Sequence, residues 1–136
     1  MKRRKSDAYR SRCPVAASLD LVGDKWSLVV LRDIVAKKRR YGEFLGSPEG
    51  IPTNVLAQRL KRLEEEGLVD KRPYQKKPVR YEYRLTAKGA DLLPVLQQLA
   101  LWGCKHIPDR WVPPAWFLDA RPADLLEKPS AARPRP

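Results

Sequence analysis

At Gly67 the spacing of apolar residues changes from that of a helix to that of a strand. Before it, in IPTNVLAQRLKRLEEEG, Leu56, Leu60 and Leu63 recur at helical intervals. That pattern predicts a helix from about Thr53 to Glu66, with Gly67 in the left-handed position that ends it. After it, Val69 opens a short strand, LVDKR, and Val79, Tyr81, Tyr83 and Leu85 alternate with Arg80, Glu82 and Arg84. Period two is that of a strand with one face covered. Between the strands, Pro73-Tyr74-Gln75-Lys76-Lys77-Pro78 reads as a long basic loop. A chain that runs from an amphipathic helix into a small basic hairpin needs other helices to complete a core.

The flanking sequence supplies them. Pro14 suits the first turn of a helix in which Val15, Leu19 and Val22 recur, and Gly23 ends it. Asp24 is a suitable N-cap for KWSLVVLRDIVAKK. There Trp26, Val29, Val30 and Ile34 share one face, broadened by Leu28 and Leu31. After the basic run Lys37 to Arg40, RYGEFLG forms a short element with Tyr41, Phe44 and Leu45 on its apolar side, and SPEG is a turn. Beyond the hairpin, Thr86 can cap a last helix, AKGADLLPVLQQLALWG, which Pro94 should kink or break. Its stripe of Leu92, Leu96 and Leu99, widened by Val95 and Trp102, is open to two uses: intradomain core, or a face shared with a second copy.

The expected fold class is therefore α+β, mostly α: a winged helix-turn-helix with three helices, a two-stranded wing and a C-terminal dimerisation helix. Residues 1–12 read as a flexible basic arm and 13–107 as the winged helix-turn-helix domain with its dimerisation helices. Residues 108–136 form a proline-rich tail. Its start, DRWVPPAWFLDA, is apolar enough to pack back onto the domain. Its end, EKPSAARPRP, has the composition of a disordered segment.

Charge narrows the partner. Lys and Arg number 28 against 16 Asp and Glu, a net charge of +12. So large an excess implies a polyanion: DNA, RNA or an anionic membrane surface. No apolar run approaches the roughly 20 residues of a membrane span, and no signal-peptide hydrophobic region follows the basic N-terminus. Cys13 and Cys104 are too far apart to suggest a disulfide framework or metal cluster, which points to a reducing, cytoplasmic compartment. His106 is the only histidine, and there is no P-loop, GxGxxG or HExxH. On that residue supply an enzyme is not expected, and no catalytic residue, metal ligand or cofactor is assigned.

In this order of elements the chain resembles the HxlR family of bacterial winged-helix transcriptional regulators. The resemblance rests on Cys13-Pro14, on Leu19-Asp20 in LDLVGDKW, and on Lys25-Trp26. It continues through Arg40-Tyr41-Gly42-Glu43-Phe44, Ile51, Leu56, Arg59-Leu60, Leu63 and Gly67-Leu68-Val69. Val79, Tyr81-Glu82-Tyr83, Leu85-Thr86, Gly89 and Trp102 complete it, over about residues 13 to 104. The resemblance implies a homodimer built from the first and last helices, with repression the commoner mode. It also implies that the cysteine at the first helix start senses oxidants or electrophiles in some members.

The residues expected to touch DNA follow from the helical wheel. Leu56, Leu60 and Leu63 form the buried edge; Asn54, Gln58 and Lys61 lie opposite, with Arg62 flanking. Asn and Gln suit adenine, and Arg and Lys suit guanine or phosphate. Glu64, Glu65 and Glu66 mark the end that phosphate would repel. Thr53 either caps the helix or bonds a phosphate. Lys76, Lys77 and Arg80 on the wing, and Arg40 before the short helix, are backbone contacts, and the arm from Lys2 to Lys5 can add non-specific affinity. Cys13 has a thiol that the helix dipole and nearby Arg10 and Arg12 would activate, or is simply a helix-start residue. Leu19, Trp26, Leu92, Leu96, Leu99 and Trp102 are the candidates for a dimer face or a ligand pocket, with an effector that nothing in the sequence names. The leading expectation is a homodimeric, sequence-specific regulator, a repressor on a palindromic operator in double-stranded DNA, responsive to redox state or a ligand. The alternative is an RNA-binding or ribosome-associated basic winged-helix protein.

Overall fold

The computed structural model describes residues 8–126. Lys2 to Lys5 and EKPSAARPRP lie outside the described residues. Four helices come first: α1 (Pro14–Val22), α2 (Ser27–Val35), α3 (Tyr41–Leu45) and α4 (Thr53–Glu65). An antiparallel hairpin of β1 (Val69–Lys76) and β2 (Val79–Leu85) follows, then α5 (Ala87–Ala90), α6 (Leu93–His106), α7 (Ala115–Asp119) and a 3-10 turn at Pro122–Leu125.

Helix α2 sits at the centre. Its Val30, Leu31, Ile34 and Val35 are buried against Phe44 of α3, the leucines of α4 and Leu93 and Leu96 of α6. It starts later than expected, at Ser27, because Lys25 and Trp26 form a turn. Asp24 still organises that start. Its Oδ2 accepts the N–H groups of Trp26 and Ser27, both at 3.0 Å, and its Oδ1 accepts the Ser27 hydroxyl. At the other end Lys37 takes a φ of 77°, so that Lys38 N–H reaches Asp33 O at 3.0 Å and stops the helix short of the expected AKK.

Helix α4 ends the same way, with a residue suited to the task. Gly67 has a φ of 77°, its N–H donates to Glu64 O at 3.0 Å, and the Leu68 N–H donates to Leu63 O at 2.8 Å. The chain then turns directly into the hairpin. The expected long loop is instead strand. Pairing continues from Val69↔Leu85 to Lys76↔Val79, interrupted by a bulge at Tyr74, and only Lys77-Pro78, joined by a cis peptide, makes the turn. Pro78 lies in the turn, as its loop signal predicts, but Pro73 is within β1: a two-stranded ribbon has only edge strands, and an edge beside a bulge tolerates proline. The ribbon is also seated on the segment before α3: Tyr83 N–H donates to Arg39 O at 2.8 Å, and Arg40 bridges to Glu82.

Pro94 marks a break, as expected. A turn at Asp91-Leu92 separates α5 from α6, and Pro94 lies in the first turn of α6. The Thr86 hydroxyl oxygen accepts Gly89 N–H at 3.1 Å, while its hydroxyl donates to Gly67 O, tying α5 to the helix–wing junction. The apolar stripe of α6 divides. Leu96 is buried and Leu92 packs half-buried on the core, with Leu93 as a further buried member; Leu99, Val95 and Trp102 are exposed. The segment after residue 108 packs back. Phe117 and Leu125 join the core, and the Gln97 amide donates to the carbonyls of Phe117, Leu118 and Ala120 at 2.9, 3.3 and 2.7 Å.

Gly89 packs so close to the helix–wing junction that an added Cβ would stand 2.0 Å from Leu68 O. Gly89→Ala should therefore cost about 1–3 kcal/mol, the range for overpacking a filled site, read as a lower thermal midpoint. Gly42→Ala, where a Cβ meets nothing within 4 Å, should leave the midpoint unchanged or raise it. Equal midpoints for the two variants would contradict this packing.

Candidate nucleic-acid interface

The exposed edge of α4 is defined by what the opposite edge buries. Leu56, Leu60 and Leu63 are sealed in the core, so Asn54, Gln58 and Lys61 face outward and are exposed. At 100° per residue Glu65 returns to the same line, which places a carboxylate at the C-terminal limit of this edge. Glu64 is turned aside to pair with Lys71 at 3.8 Å. Lys61 makes no ion pair among the described residues.

Three contacts outside the leucines brace the helix. The Tyr41 hydroxyl donates to Thr53 O at 2.8 Å, fixing the start of α4 to α3. Arg59 Nε pairs with Asp24 Oδ2 at 2.9 Å, the carboxylate that organises the start of α2. Arg62 Nη2 donates to Asp20 O at 2.8 Å, tying the last turn of α4 to α1. Arg62, expected beside the base-reading residues, is thus turned toward α1, because its place on the wheel lies nearer that helix. Thr53 does not cap α4: Pro52 holds the N-cap position, and Thr53 is the exposed first helical residue.

On the wing, Lys76, Lys77 and Arg80 are exposed and make no ion pair among the described residues. Arg40 is differently placed from expectation. Its Nε lies 3.0 Å from Glu82 Oε2 and its guanidinium stacks 3.8 Å from the centre of the Tyr74 ring, so it braces the wing against the start of α3. Glu82 also accepts from Arg84 at 3.0 Å. Burial alone would raise the Glu82 carboxyl, but hydrogen bonds from Arg84 and Arg40 outweigh it and lower its pKa. A cleft of about 220 Å³ between wing and α3 is lined by Arg40, Tyr41, Tyr74, Arg80 and Tyr81 among others. Tyr41 and Tyr74 were not among the expected site residues. A proline followed by an aromatic in a basic hairpin was the available signal for Tyr74, and it was read as loop.

Cys13 is exposed and occupies the N-cap position of α1. The backbone N–H groups of Ala16 and Val15 lower its thiol pKa, and Arg10 adds to this. Arg10 itself is held by Asp20 at 2.8 Å. Of the residues expected at a dimer face or pocket, Leu19 is 49% exposed, Leu99 51% and Trp102 59%. Trp26 is half-buried with Lys25 Nζ 5.3 Å from its ring centre. In the single chain, the described cavities do not bring all six of these residues together. A cavity of about 410 Å³ lies elsewhere; Leu96 and Leu99 line it, but Leu19, Trp26, Leu92 and Trp102 do not.

Three helices, a turn, a helix with a polar outer edge and a basic two-stranded wing make this a winged helix-turn-helix protein. The model of the HxlR-like helix-turn-helix family matches residues 21–110, and the chain belongs to that family. It is 42% identical over 100 residues to an uncharacterised HTH-type transcriptional regulator of Mycobacterium tuberculosis, covering 74% of this chain and 63% of that protein. Among solved structures it is similar to the reduced redox regulator HypR, with a TM-score of 0.65, 32% identity and coverage of 70% of this chain and 94% of HypR. It is also similar to the reduced transcriptional regulator YodB from Bacillus subtilis, with a TM-score of 0.58, 26% identity and coverage of 74% and 100%.

The lowered thiol pKa at Cys13 has a direct readout. Its thiolate fraction should exceed that of a free cysteine at neutral pH, so the rate of iodoacetamide alkylation should reach half its maximum at a lower pH than that of an unstructured cysteine peptide measured in parallel. A half-maximum at or above the peptide's would show that the α1 amides do not stabilise the thiolate.

Proposed function

We propose that this protein is a homodimeric transcriptional regulator that binds double-stranded DNA sequence-specifically and acts chiefly as a repressor. The observation that carries this reading is the pairing of two uncommitted surfaces. Asn54, Gln58 and Lys61 are exposed on a helix whose other polar contacts are used to hold it still. Lys76, Lys77 and Arg80 stand exposed on the adjoining wing. A braced helix with outward amide and ammonium groups suits base edges in a major groove, and a basic wing suits phosphate. Membership of a family of helix-turn-helix regulators supports it. No described helix is long and apolar enough to cross a membrane, and the cytoplasm is the compartment in which such a protein would meet DNA.

Homodimerisation is supported by the large apolar side chains that α1 and α6 leave exposed, Val15 and Leu19 on one, Leu99 and Trp102 on the other. A two-fold pair of this kind places its two α4 helices about one DNA turn apart on a palindromic operator. A redox response is a second reading, carried by Cys13: an exposed thiol of lowered pKa, in a chain similar to the redox regulator HypR. RNA or ribosome binding uses the same positive charge but gives no role to an ordered amide-bearing helix edge, so DNA is favoured.

Binding should separate these roles. Asn54→Ala and Gln58→Ala should each relax base preference by about 1–3 kcal/mol at one position of the site, while Lys77→Ala should weaken every duplex and reduce the salt slope by about one. Arg62→Ala should change stability more than base preference, because its partner is Asp20 O. Measured affinities for a matched, a mismatched and a random duplex across salt concentrations check this. Uniform losses from Asn54→Ala, Gln58→Ala and Lys77→Ala on all three duplexes would contradict the assignment, as would equal affinity for RNA.

A further inference from the structure

The 410 Å³ cavity has no part in the nucleic-acid interface described above, and of the side chains offered as a dimer face only Leu99 lines it. Three elements wall it: the α2 segment with Leu28 and Val29, α6 with Leu96 and Leu99, and the C-terminal segment with Trp111 to Pro114, Trp116 and Phe117. Its third wall belongs to the chain itself. The Gln97 amide holds three carbonyls of the segment from Phe117 to Ala120, and Phe117 is buried in the core. The hollow is therefore present in a single chain and does not need a second copy to form it. Its volume is within the usual range for small-molecule sites, about 300–1,000 Å³.

Every lining residue except Arg32 is apolar. Arg32 offers no spare charge. Its Nη1 and Nη2 grip Glu49 at 2.7 and 2.8 Å, and Nη2 also holds Asp33 at 2.7 Å. A carboxylate ligand would have to displace Glu49 from a bidentate pair. An uncharged ligand meets a lining that is almost entirely carbon. At the rim Trp111 is 83% exposed, and inside it Trp116 stands edge-on to Phe117 with ring centres 5.9 Å apart. Exposed tryptophan beside an apolar hollow is surface that a flat aromatic molecule would cover.

The same arginine connects the cavity to α4. Glu49 lies in the turn between α3 and α4. Asp33, buried beside Arg32, accepts the Ser47 hydroxyl at 2.5 Å, and Lys38 Nζ donates to Ser47 Oγ at 2.6 Å. One face of α2 thus walls the cavity, while its Arg32-Asp33 pair clasps the first half of the turn that leads into α4, at Ser47 and Glu49. A molecule pressing on Arg32 loads that clasp.

We propose that this cavity binds an uncharged aromatic small molecule and that its occupancy is felt, through Arg32 and Glu49, in the turn at Ser47–Ile51. The regulatory consequence rests on the DNA-binding reading above; the site and its coupling do not. N-phenyl-1-naphthylamine, uncharged and fluorescent in apolar surroundings, is a suitable probe for the full chain. Its fluorescence should rise saturably to one probe per chain. Ala100→Phe, which fills the cavity, and Trp111→Ala, which removes its rim at an exposed position, should each weaken binding roughly tenfold, a change of about 1.4 kcal/mol. Circular dichroism confirms that both variants are folded.

Hydrogen exchange, measured without DNA, reads the coupling. Probe binding should change exchange across residues 47–51 in the natural chain, and Glu49→Gln should retain probe binding but abolish that change. Absence of saturable binding, binding unaffected by both cavity variants, or one probe per two chains would overturn the site. Exchange changes confined to the cavity walls would overturn the coupling. Loss of DNA binding in a chain that still passes both tests would instead count against the proposed function alone.

Discussion

The burial of Leu56, Leu60 and Leu63 on one edge of α4 is the contact on which the rest of the structure depends. Each fully buried leucine contributes on the order of 1.5–3 kcal/mol, and together they fix the rotation of α4 about its axis. Once that rotation is set, Asn54, Gln58 and Lys61 have only one direction to face. The polar braces refine the seating without setting it. Tyr41 holds the first carbonyl, Arg59 reaches the carboxylate that starts α2, and Arg62 reaches the end of α1. A helix that must present side chains to a groove within a fraction of an ångström benefits from such redundancy.

The second constraint is the junction at Gly67. A left-handed residue there lets α4 stop and the wing start with only three residues between them, and Thr86 and Gly89 close the junction from behind. The wing cannot swing freely, because Tyr83 is hydrogen-bonded to Arg39 and Arg40 is clamped by Glu82 and Tyr74. Much of the positive charge near α3 is therefore structural. What remains uncommitted among the expected contacts is narrower than composition suggests: Lys61 on the helix and Lys76, Lys77 and Arg80 on the wing.

The order of helices and hairpin was legible in the sequence because each element carries a strong local signal. The leucine spacing of α4, the glycine at its end and the alternation in β2 depend on neighbours a few residues away. The length of β1 is not legible locally, because Pro73 signals loop and only the pairing with β2 shows that the strand runs to Lys76. The intrachain contacts of Arg40 and Arg62 are not legible in the sequence for a related reason. Their partners, Glu82 and the Asp20 carbonyl, are both 42 residues away in sequence, so no local pattern could tell a phosphate contact from a brace. The division of the α6 stripe into buried Leu96 and exposed Leu99 likewise depends on where the C-terminal segment returns to the domain.

The most direct test of the central claim, that the outward edge of α4 reads a duplex, is selection of bound DNA from a random pool at physiological salt. The expected result is an enriched motif with two-fold symmetry, its half-sites about one helical turn apart. The Asn54→Ala protein should enrich a motif degenerate at one position in each half-site. An unenriched pool, or the same motif from both proteins, would contradict the claim.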